Sequence, residues 1–295
     1  MKFIRFEYNG QEELGIFNLE ESKVISISSI LDGKNFNDMN NLIEMISQDE
    51  INKLKEVYKS NDVTKAIDIE EVQLLSPIER PIHDIICVGL NYADHIGEVR
   101  GAGDDLKDND NIVYFSKRAS KILGSGETVK GHFDLDTSMD YEVELAVIIG
   151  KRASNIAKED VKDYIFGYSV FNDLSARQLQ MKHSQWYRGK SLDNYSTMGP
   201  AILYGDELEF PLELQVSSKV NEEIRQQSNT KLFINDIGSI ISELSNGITL
   251  EPGDIIATGT PSGVGAGFNP PKFLKAGDIV ECEIEKIGKL VNIIE

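Results

Sequence analysis

The stretch Asp140-Tyr-Glu-Val-Glu-Leu-Ala-Val-Ile-Ile-Gly150 decides the fold class and the chemistry that we expect of this chain. Its apolar residues are mostly β-branched, which favours a strand over a helix. Residues two apart on a strand share one face, so the side chains of Glu142 and Glu144 are expected to point the same way. Two buried like charges need compensation, which a divalent cation with oxygen ligands provides. The alternative is a solvent-facing strand whose acids only keep the protein soluble.

An aspartate about thirty positions further on can complete a set of three carboxylate ligands. This is Asp173, in the segment Phe171-Asn-Asp-Leu-Ser-Ala-Arg177, and three carboxylates suit a hard divalent cation. A second interpretation makes Asp173 the N-cap of a short helix. On such a helix Asp173, Arg177 and Gln180 follow one face, an arrangement that fits substrate recognition. A surface salt bridge is the alternative for the arginine.

Three further segments carry residues suited to acid–base or anion chemistry. His95 and Glu98 are three apart, so on a helical turn the carboxylate can orient the imidazole as a general base. Lys190 stands between glycine and serine, where it can reach an oxyanion. The glycine-dense segment 250–265 lacks the P-loop pattern and is expected to bring backbone amides and the Thr260 hydroxyl to an anion. The alternatives are a surface His–Glu contact, an exposed loop lysine and a plain turn.

Composition limits the partners that we expect. A formal net charge of −19 argues against nucleic acid and anionic membranes, and it means that an anionic substrate needs local positive charge. We find no apolar run of membrane-spanning length and no signal-peptide pattern at the start of the sequence. The two cysteines lie in apolar runs and are predicted to be buried thiols, which suits a cytoplasmic location.

The pattern along the chain predicts two units. Residues 1–76 are expected to form a small N-terminal domain, with a hairpin around Asn9-Gly10 and helical spacing over 37–60. Residues 77–295 are expected to form the catalytic domain, in which strand-like runs dominate and helices are few. The fold class is therefore predicted as mainly β, of the α+β type. The glycine- and aspartate-rich stretch 97–111 is predicted to be a loop.

Five segments, in this order, resemble the fumarylacetoacetate hydrolase family over about residues 80–285. They are Gly89-Leu-Asn-Tyr-Ala-Asp-His-Ile-Gly-Glu98, Asp140-Tyr-Glu-Val-Glu144, Asn172-Asp-Leu-Ser-Ala-Arg-Gln-Leu-Gln180, Gly189-Lys-Ser191 and Pro252-Gly-Asp…Gly259-Thr-Pro-Ser-Gly263. The resemblance implies a mixed β-sandwich roll with a small N-terminal α/β domain, usually as a homodimer. The larger eukaryotic members have a fourth carboxylate where this chain has Leu90, so it is similar to the smaller bacterial type.

The resemblance also implies roles for individual residues. A Mg²⁺ or Mn²⁺ ion (Ca²⁺ in crystals) is expected on Glu142, Glu144 and Asp173. The remaining roles are a water-activating dyad of His95 and Glu98 on a lid over about 96–111, a catalytic or oxyanion-stabilising Lys190, and a substrate site that includes Tyr92, Arg177, Gln180 and Thr260.

The function expected from the residues and the resemblance is cleavage of a carbon–carbon bond in a 2,4-dioxo acid of the acylpyruvate type. The alternative is an isomerase, tautomerase or decarboxylase acting on 2-hydroxy-2,4-dienedioates or oxaloacetate-like 2-oxo acids; sugar-acid dehydratases and ureidoglycolate-type lyases share the motifs. A non-catalytic dimeric metal-binding protein is a further alternative. In each enzymatic case the partner is a small 2-oxo acid.

Overall fold

The computed structural model describes residues 1–101 and 111–295. Most of the loop predicted over 97–111, and of the lid over 96–111, lies outside these residues. Within them, the first part of the chain is a strand-rich unit with three helices. Its elements are β1 (Lys2–Tyr8), β2 (Gln11–Phe17), β3 (Lys23–Ser26), α1 (Ile27–Ile30), α2 (Met39–Met45), α3 (Gln48–Ser60), β4 (Ile67–Asp68) and β5 (Gln73–Leu75).

The rest of the described chain contains more strands than helices. Its elements are β6 (Ile85–Gly89), α4 (Ala93–Gly101), β7 (Val113–Lys117), β8 (Thr128–Val129), β9 (Met139–Asp140), β10 (Val143–Ile149), β11 (Ile165–Asp173), β12 (Ser175–Ala176), α5 (Arg177–Lys182), α6 (Tyr187–Lys190), β13 (Ser196–Tyr204), β14 (Gln215–Val220), β15 (Glu223–Asn229), α7 (Ile237–Ser245), β16 (Ile255–Ala257), β17 (Ile279–Ile284) and β18 (Gly288–Ile294). No helix in the described ranges is long and apolar enough to cross a membrane.

The described strands form one large mixed sheet, one smaller mixed sheet and a two-stranded antiparallel pair of β9 and β12. The large sheet has the order β4-β3-β2-β1-β13-β11-β10-β16-β6-β7, with β5 also paired to β1. It is antiparallel except where β16 runs parallel to β6. The smaller sheet has the order β15-β14-β17-β18-β8 and shares one apolar core with the large sheet. This confirms the predicted mainly β architecture with mixed sheets.

Strand β10 lies near the middle of the large sheet, and all seven of its residues are buried. Leu145 and Val147 pack into the core between the two sheets. Ala146 and Ile148 pack on the opposite face, into a core that includes the N-terminal helices. A strand buried on both faces has no polar alternation, which explains the continuous apolar run in the sequence.

The N-terminal unit continues the large sheet. The predicted hairpin is confirmed: β1 pairs with β2, and Asn9 and Gly10 both have positive φ, 51° and 76°. The helical stretch predicted over 37–60 consists of two helices, α2 and α3. They are separate because the chain leaves α2 after Met45 and Ser47 caps the start of α3. Strand β1 also pairs with β13, so hydrogen bonds cross from residues 1–76 to residues 77–295. The domain boundary itself stays a prediction.

Candidate active site

Three buried carboxylates meet where β10 begins and β11 ends. Ligand atoms of Glu142, Glu144 and Asp173 all lie within 4.8 Å of one another. The two strands are antiparallel with Val143 opposite Asn172, which brings the start of one strand beside the end of the other. Glu142 precedes β10, whose first residue is Val143, so the expectation of two glutamates within one strand is wrong in detail. Their carboxylates nevertheless converge as predicted.

Two of these carboxylates are paired with basic side chains. The Nζ atom of Lys190 lies 2.6 Å from Glu142 Oε2 and 2.7 Å from Asp173 Oδ2. Arg177 Nη1 lies 2.7 Å from the other oxygen of Glu142. Lys117 Nζ donates to Asp173 Oδ1 at 2.6 Å and to the Leu174 carbonyl at 2.9 Å. These contacts hold both oxygens of Glu142 and both oxygens of Asp173.

Glu144 has a different environment from the other two acids. It accepts a hydrogen bond from the Gly259 amide at 2.8 Å, and among the described side chains it has no lysine or arginine within ion-pair distance. Burial, and then the charges of Asp173 and Glu142, raise the pKa of Glu144 well above its usual value. Burial also acts to raise the pKa of Glu142, but Lys190 and Arg177 outweigh it and lower that pKa to about 2.

Negative charge is in excess in this part of the structure, because four buried carboxylates face three largely buried cations. These residues are Asp140, Glu142, Glu144 and Asp173, with Lys117, Arg177 and Lys190. An unpaired buried carboxylate is costly unless it becomes protonated or binds a cation. Three closely spaced carboxylates are also the oxygen donors that hard divalent cations prefer. The donor set of Glu142, Glu144 and Asp173 therefore fits a divalent metal.

His95 and Glu98 form the predicted pair on helix α4. The imidazole Nδ1 lies 3.0 Å from Glu98 Oε2, and both side chains are largely buried. The bond to Nδ1 orients the ring and leaves Nε2 free of Glu98. The pair lines the same cavity as Glu142 and Glu144.

That cavity has a volume of about 250 Å³, enough for a small organic acid. Its wall combines the charged groups with apolar and aromatic side chains. The lining residues are Val88, Gly89, Leu90, His95, Glu98, Phe115, Glu142, Glu144, Arg177, Gln180, Met181, Trp186, Lys190, Thr260, Val264, Ala266 and Gly267.

Three of the four predicted substrate residues line the cavity, and the fourth, Tyr92, is not among the described lining residues. Arg177 and Gln180 line the cavity and share a hydrogen bond of 3.0 Å. Thr260 also lines it, but its hydroxyl already donates to the Val143 carbonyl at 2.9 Å. Tyr92 is not among the described lining residues: it is buried, with its ring packed edge-on against Phe233 at 5.0 Å. The structure therefore does not bring Tyr92 to the cavity.

Two alternatives that the sequence left open for local structure do not hold. Asp173 is the last residue of β11 and not a helix N-cap; Ala176 has that position before α5. Asp173, Arg177 and Gln180 consequently do not share a helix. Lys190 is not in an exposed turn: it ends helix α6 and is buried against the triad.

Sequence reasoning missed two buried residues that organise the site. Lys117 ends β7 and pairs with Asp173, although it looks like an ordinary polar residue after an apolar strand. Asp140 accepts hydrogen bonds from Arg177 Nε at 2.8 Å, from the Gly265 amide at 2.6 Å and from the Ala266 amide at 3.0 Å. Its position two residues before Glu142 was the available signal.

The fold and the buried acidic centre agree with comparisons with known proteins. Residues 84–295 match the family model described as fumarylacetoacetate (FAA) hydrolase C-terminal, so this chain belongs to the fumarylacetoacetate hydrolase family. Proteins of this family generally bind a divalent metal, and the triad is a buried group of three carboxylates with the spacing to hold one.

Three relatives illustrate the range of activities. The chain is 46% identical to oxaloacetate tautomerase YisK of Bacillus subtilis (strain 168), over 76% of this chain and 73% of that protein. A fumarylacetoacetate hydrolase from psychrophilic Exiguobacterium antarcticum superposes with a TM-score of 0.84 at 37% identity, covering 100% of this chain and 99% of the other. Maleylpyruvate hydrolase from Sphingobium sp. SYK-6 gives a TM-score of 0.78 at 28% identity, with coverage of 100% and 99%.

Proposed function

We propose that this chain is a divalent-metal-dependent enzyme that interconverts the keto and enol forms of a short 2-oxo acid of the oxaloacetate type. One observation carries the proposal: an imidazole oriented by a carboxylate shares a cavity of about 250 Å³ with Glu142 and Glu144, two of the three acids of the triad. The name of the relative at 46% identity supports tautomerisation over the carbon–carbon hydrolysis expected from the sequence.

Mg²⁺ or Mn²⁺ is the cation that we propose for Glu142, Glu144 and Asp173, because both prefer carboxylate oxygen. When bound, such an ion supplies Lewis-acid polarisation of the 2-oxo group and compensates the charge that develops on its oxygen. The contacts of Lys190 and Arg177 to Glu142 keep that acid ionised, and Lys190 also pairs with Asp173.

His95 is the proposed acid–base group. Its Nε2 atom removes a proton from carbon 3 of the keto form, and the enolate oxygen then takes up a proton, from the imidazolium or from water, to give the enol. Glu98 fixes the tautomer by accepting from Nδ1 and stabilises the imidazolium that forms. Because tautomerisation moves one proton from carbon to oxygen, the reaction needs this base, a stabilised enolate and a proton donor to the enolate oxygen, and the reverse reaction returns the proton to carbon 3.

Hydrolysis of an acylpyruvate is the second candidate, and the apolar side of the cavity favours it. Phe115 and Trp186 pack edge-on at 5.2 Å and line the cavity, a surface that suits an acyl chain better than a second carboxylate. Here His95 takes the proton from water, and Lys190 stabilises the oxyanion at the attacked carbonyl. The maleylpyruvate hydrolase among the structural relatives is consistent with this chemistry. Decarboxylation of the same class of 2-oxo acid shares the enolate step.

Product analysis separates these reactions. Metal-stripped and Mg²⁺- or Mn²⁺-loaded protein is mixed with freshly dissolved oxaloacetate, and the enol absorbance is followed while pyruvate is measured by a coupled assay. Tautomerisation gives a metal-dependent change in enol absorbance without pyruvate, whereas decarboxylation gives pyruvate. Acetylpyruvate tested in parallel reports hydrolysis through release of acetate and pyruvate. A metal-dependent rise in melting temperature without turnover of any 2-oxo acid would instead favour the non-catalytic metal-binding protein.

A further inference from the structure

The turn Ser262–Gly267, after β16, contacts both acidic residues on one face of helix α4. Ser262 Oγ donates to Asp94 Oδ2 at 2.8 Å. The Gly263 amide donates to Glu98 Oε1 at 2.9 Å, while the other oxygen of Glu98 accepts from His95. Glu98 therefore connects the imidazole to this turn through its two oxygens.

The same turn is fixed to the carboxylate region from its other side. Asp140 is buried and accepts from the amides of Gly265 and Ala266. Asp140 also pairs with Arg177, which contacts Glu142. A continuous series of hydrogen bonds thus runs from the triad through the turn to Glu98.

Gly267 is the position where this arrangement leaves no room for a side chain. A Cβ atom there would lie 1.8 Å from Glu98 Oε1 and 2.1 Å from Glu98 Cδ. The φ angle of Gly267 is not in the positive region, so alanine is compatible with the backbone, and the three described atoms nearest to its Cβ all belong to the side chain of Glu98. At Gly263, in contrast, φ is +102° and a Cβ would lie 1.9 Å from the Arg225 carbonyl, so substitution there would also strain the backbone.

We infer that Ser262–Gly267 is a socket that positions Glu98, and through it His95, relative to the carboxylate triad, with Gly267 as its positioning residue. The inference rests on the proposed function for its effect on turnover, but the geometry of the socket does not depend on the substrate. Displacing a catalytic group by about 1 Å can cost roughly 10²-fold in rate. A methyl group at position 267 would lie 1.8 Å from Glu98 Oε1, whereas ordinary contacts begin at 3.4 Å, so Glu98 has to move by more than that distance of about 1 Å.

The test compares Gly267→Ala with Gly238→Ala. Gly238 lies in α7, outside the cavity lining, and the atoms nearest a Cβ there are side-chain atoms of Lys158 and Asp236 at 3.0 Å and 3.2 Å, so Gly238→Ala is the control. We expect Gly267→Ala to lower kcat by roughly 10²-fold, with the metal-dependent rise in melting temperature unchanged, and Gly238→Ala to change kcat by less than about 2-fold. Loss of the metal-dependent rise in Gly267→Ala would overturn the inference, because the damage would then extend to the triad.

A double-mutant cycle separates positioning of Glu98 from general damage to the turn. In a Glu98→Ala background the clash partner is gone, so adding Gly267→Ala should lower the residual rate by less than about 2-fold. An undiminished loss in that background would contradict the inference.

A readout without substrate keeps the inference apart from the proposed function. The chain has four histidines, so the imidazole NMR signal of His95 can be assigned from its loss in His95→Ala. Gly267→Ala should shift that signal as Glu98→Ala does, and Gly238→Ala should not. An unshifted signal in Gly267→Ala overturns the socket, whereas a shifted signal in a protein inactive on every 2-oxo acid overturns only the proposed reaction.

Discussion

Two acids of the triad, Glu142 and Glu144, face the same cavity as the His95–Glu98 pair, but the chain holds the triad and the pair in different ways. The triad belongs to the ends of β10 and β11 in the middle of the large sheet, where buried lysines are its partners. The pair lies on α4, which the socket Ser262–Gly267 holds through side-chain contacts at the surface of the core. Changes to the triad should therefore affect stability and metal binding, whereas changes to the pair should affect catalysis alone.

The largest effect is expected from Glu144→Gln, which removes the triad acid without a described cationic partner. Turnover should fall by roughly 10³-fold or more, because metal stabilisation of the developing charge contributes several kcal/mol. Melting curves with and without Mg²⁺ or Mn²⁺ should lose their difference. The metal-free variant should melt at or above metal-free wild type near neutral pH, since a buried charge repelled by Asp173 and Glu142 is gone.

The exposed Glu71→Gln makes the same chemical change away from the cavity and serves as the control. It should preserve turnover and the metal-dependent shift. A Glu144→Gln protein that keeps full metal-dependent stabilisation would show that the triad is not the metal site.

His95→Ala should lower turnover without affecting metal binding, in contrast to Glu144→Gln. We expect roughly 10²–10⁴-fold slower turnover, the usual scale for a lost acid–base group, with metal-dependent stabilisation preserved. Steady-state rates and metal-titrated melting curves measure both quantities. His83→Ala is the control, because His83 is exposed and bonds to Asp254 outside the cavity lining. Equal losses in the two variants would remove His95 from the mechanism.

Lys117→Met tests whether the triad is part of the structural core. Lys117 is fully buried and pairs with Asp173, so its loss leaves a buried carboxylate short of a partner. Breaking such a pair typically costs about 3–5 kcal/mol in the free energy of unfolding. Urea denaturation measures this loss. The exposed Lys289→Met, which removes surface contacts to Glu281 and Glu283, should cost at most about 1 kcal/mol. Similar values for the two variants would mean that Lys117 is dispensable to the fold.

The sequence predicts the residue pairs of the site better than it predicts the long-range contacts that support the triad. Local spacing places Glu142 beside Glu144 and His95 beside Glu98, and the structure has both pairs in contact with one cavity. Lys117 could not be found in this way, because its contact with Asp173 joins positions 56 residues apart through the pairing of separate strands.

The fold shows the same division between local and long-range information. The mainly β class follows from strand-like runs, and the hairpin follows from the Asn9-Gly10 turn. Pairing of β1 with β13 depends on tertiary packing and left no local signal. Likewise, Tyr92 belongs to a family motif, yet packing against Phe233 keeps it away from the described cavity wall.

The smallest effect is expected at the start of α3, far from the triad and from the His95–Glu98 pair. A substitution there measures how a loss of stability alone affects turnover. Ser47 Oγ accepts from the Glu50 amide, and Glu50 accepts from the Ser47 amide, forming a capping box. Ser47→Ala should cost about 1 kcal/mol, lowering the melting temperature by about 2 °C with unchanged kcat.

The cost of Ser47→Ala should also depend on pH. Hydrogen bonds from Lys34 and then Ser47 lower the pKa of Glu50 from 4.5 to about 2. A lowered carboxyl pKa gives stability that is present above the unfolded value and lost as the pH falls through the folded value. Because protonation weakens the bond between Ser47 Oγ and Glu50, the difference between wild type and Ser47→Ala should narrow from pH 4.5 towards 2. If the kcat of Ser47→Ala falls along with its melting temperature at neutral pH, a loss of stability far from the cavity is enough to lower turnover. Any loss of turnover in Lys117→Met would then include such a contribution from stability.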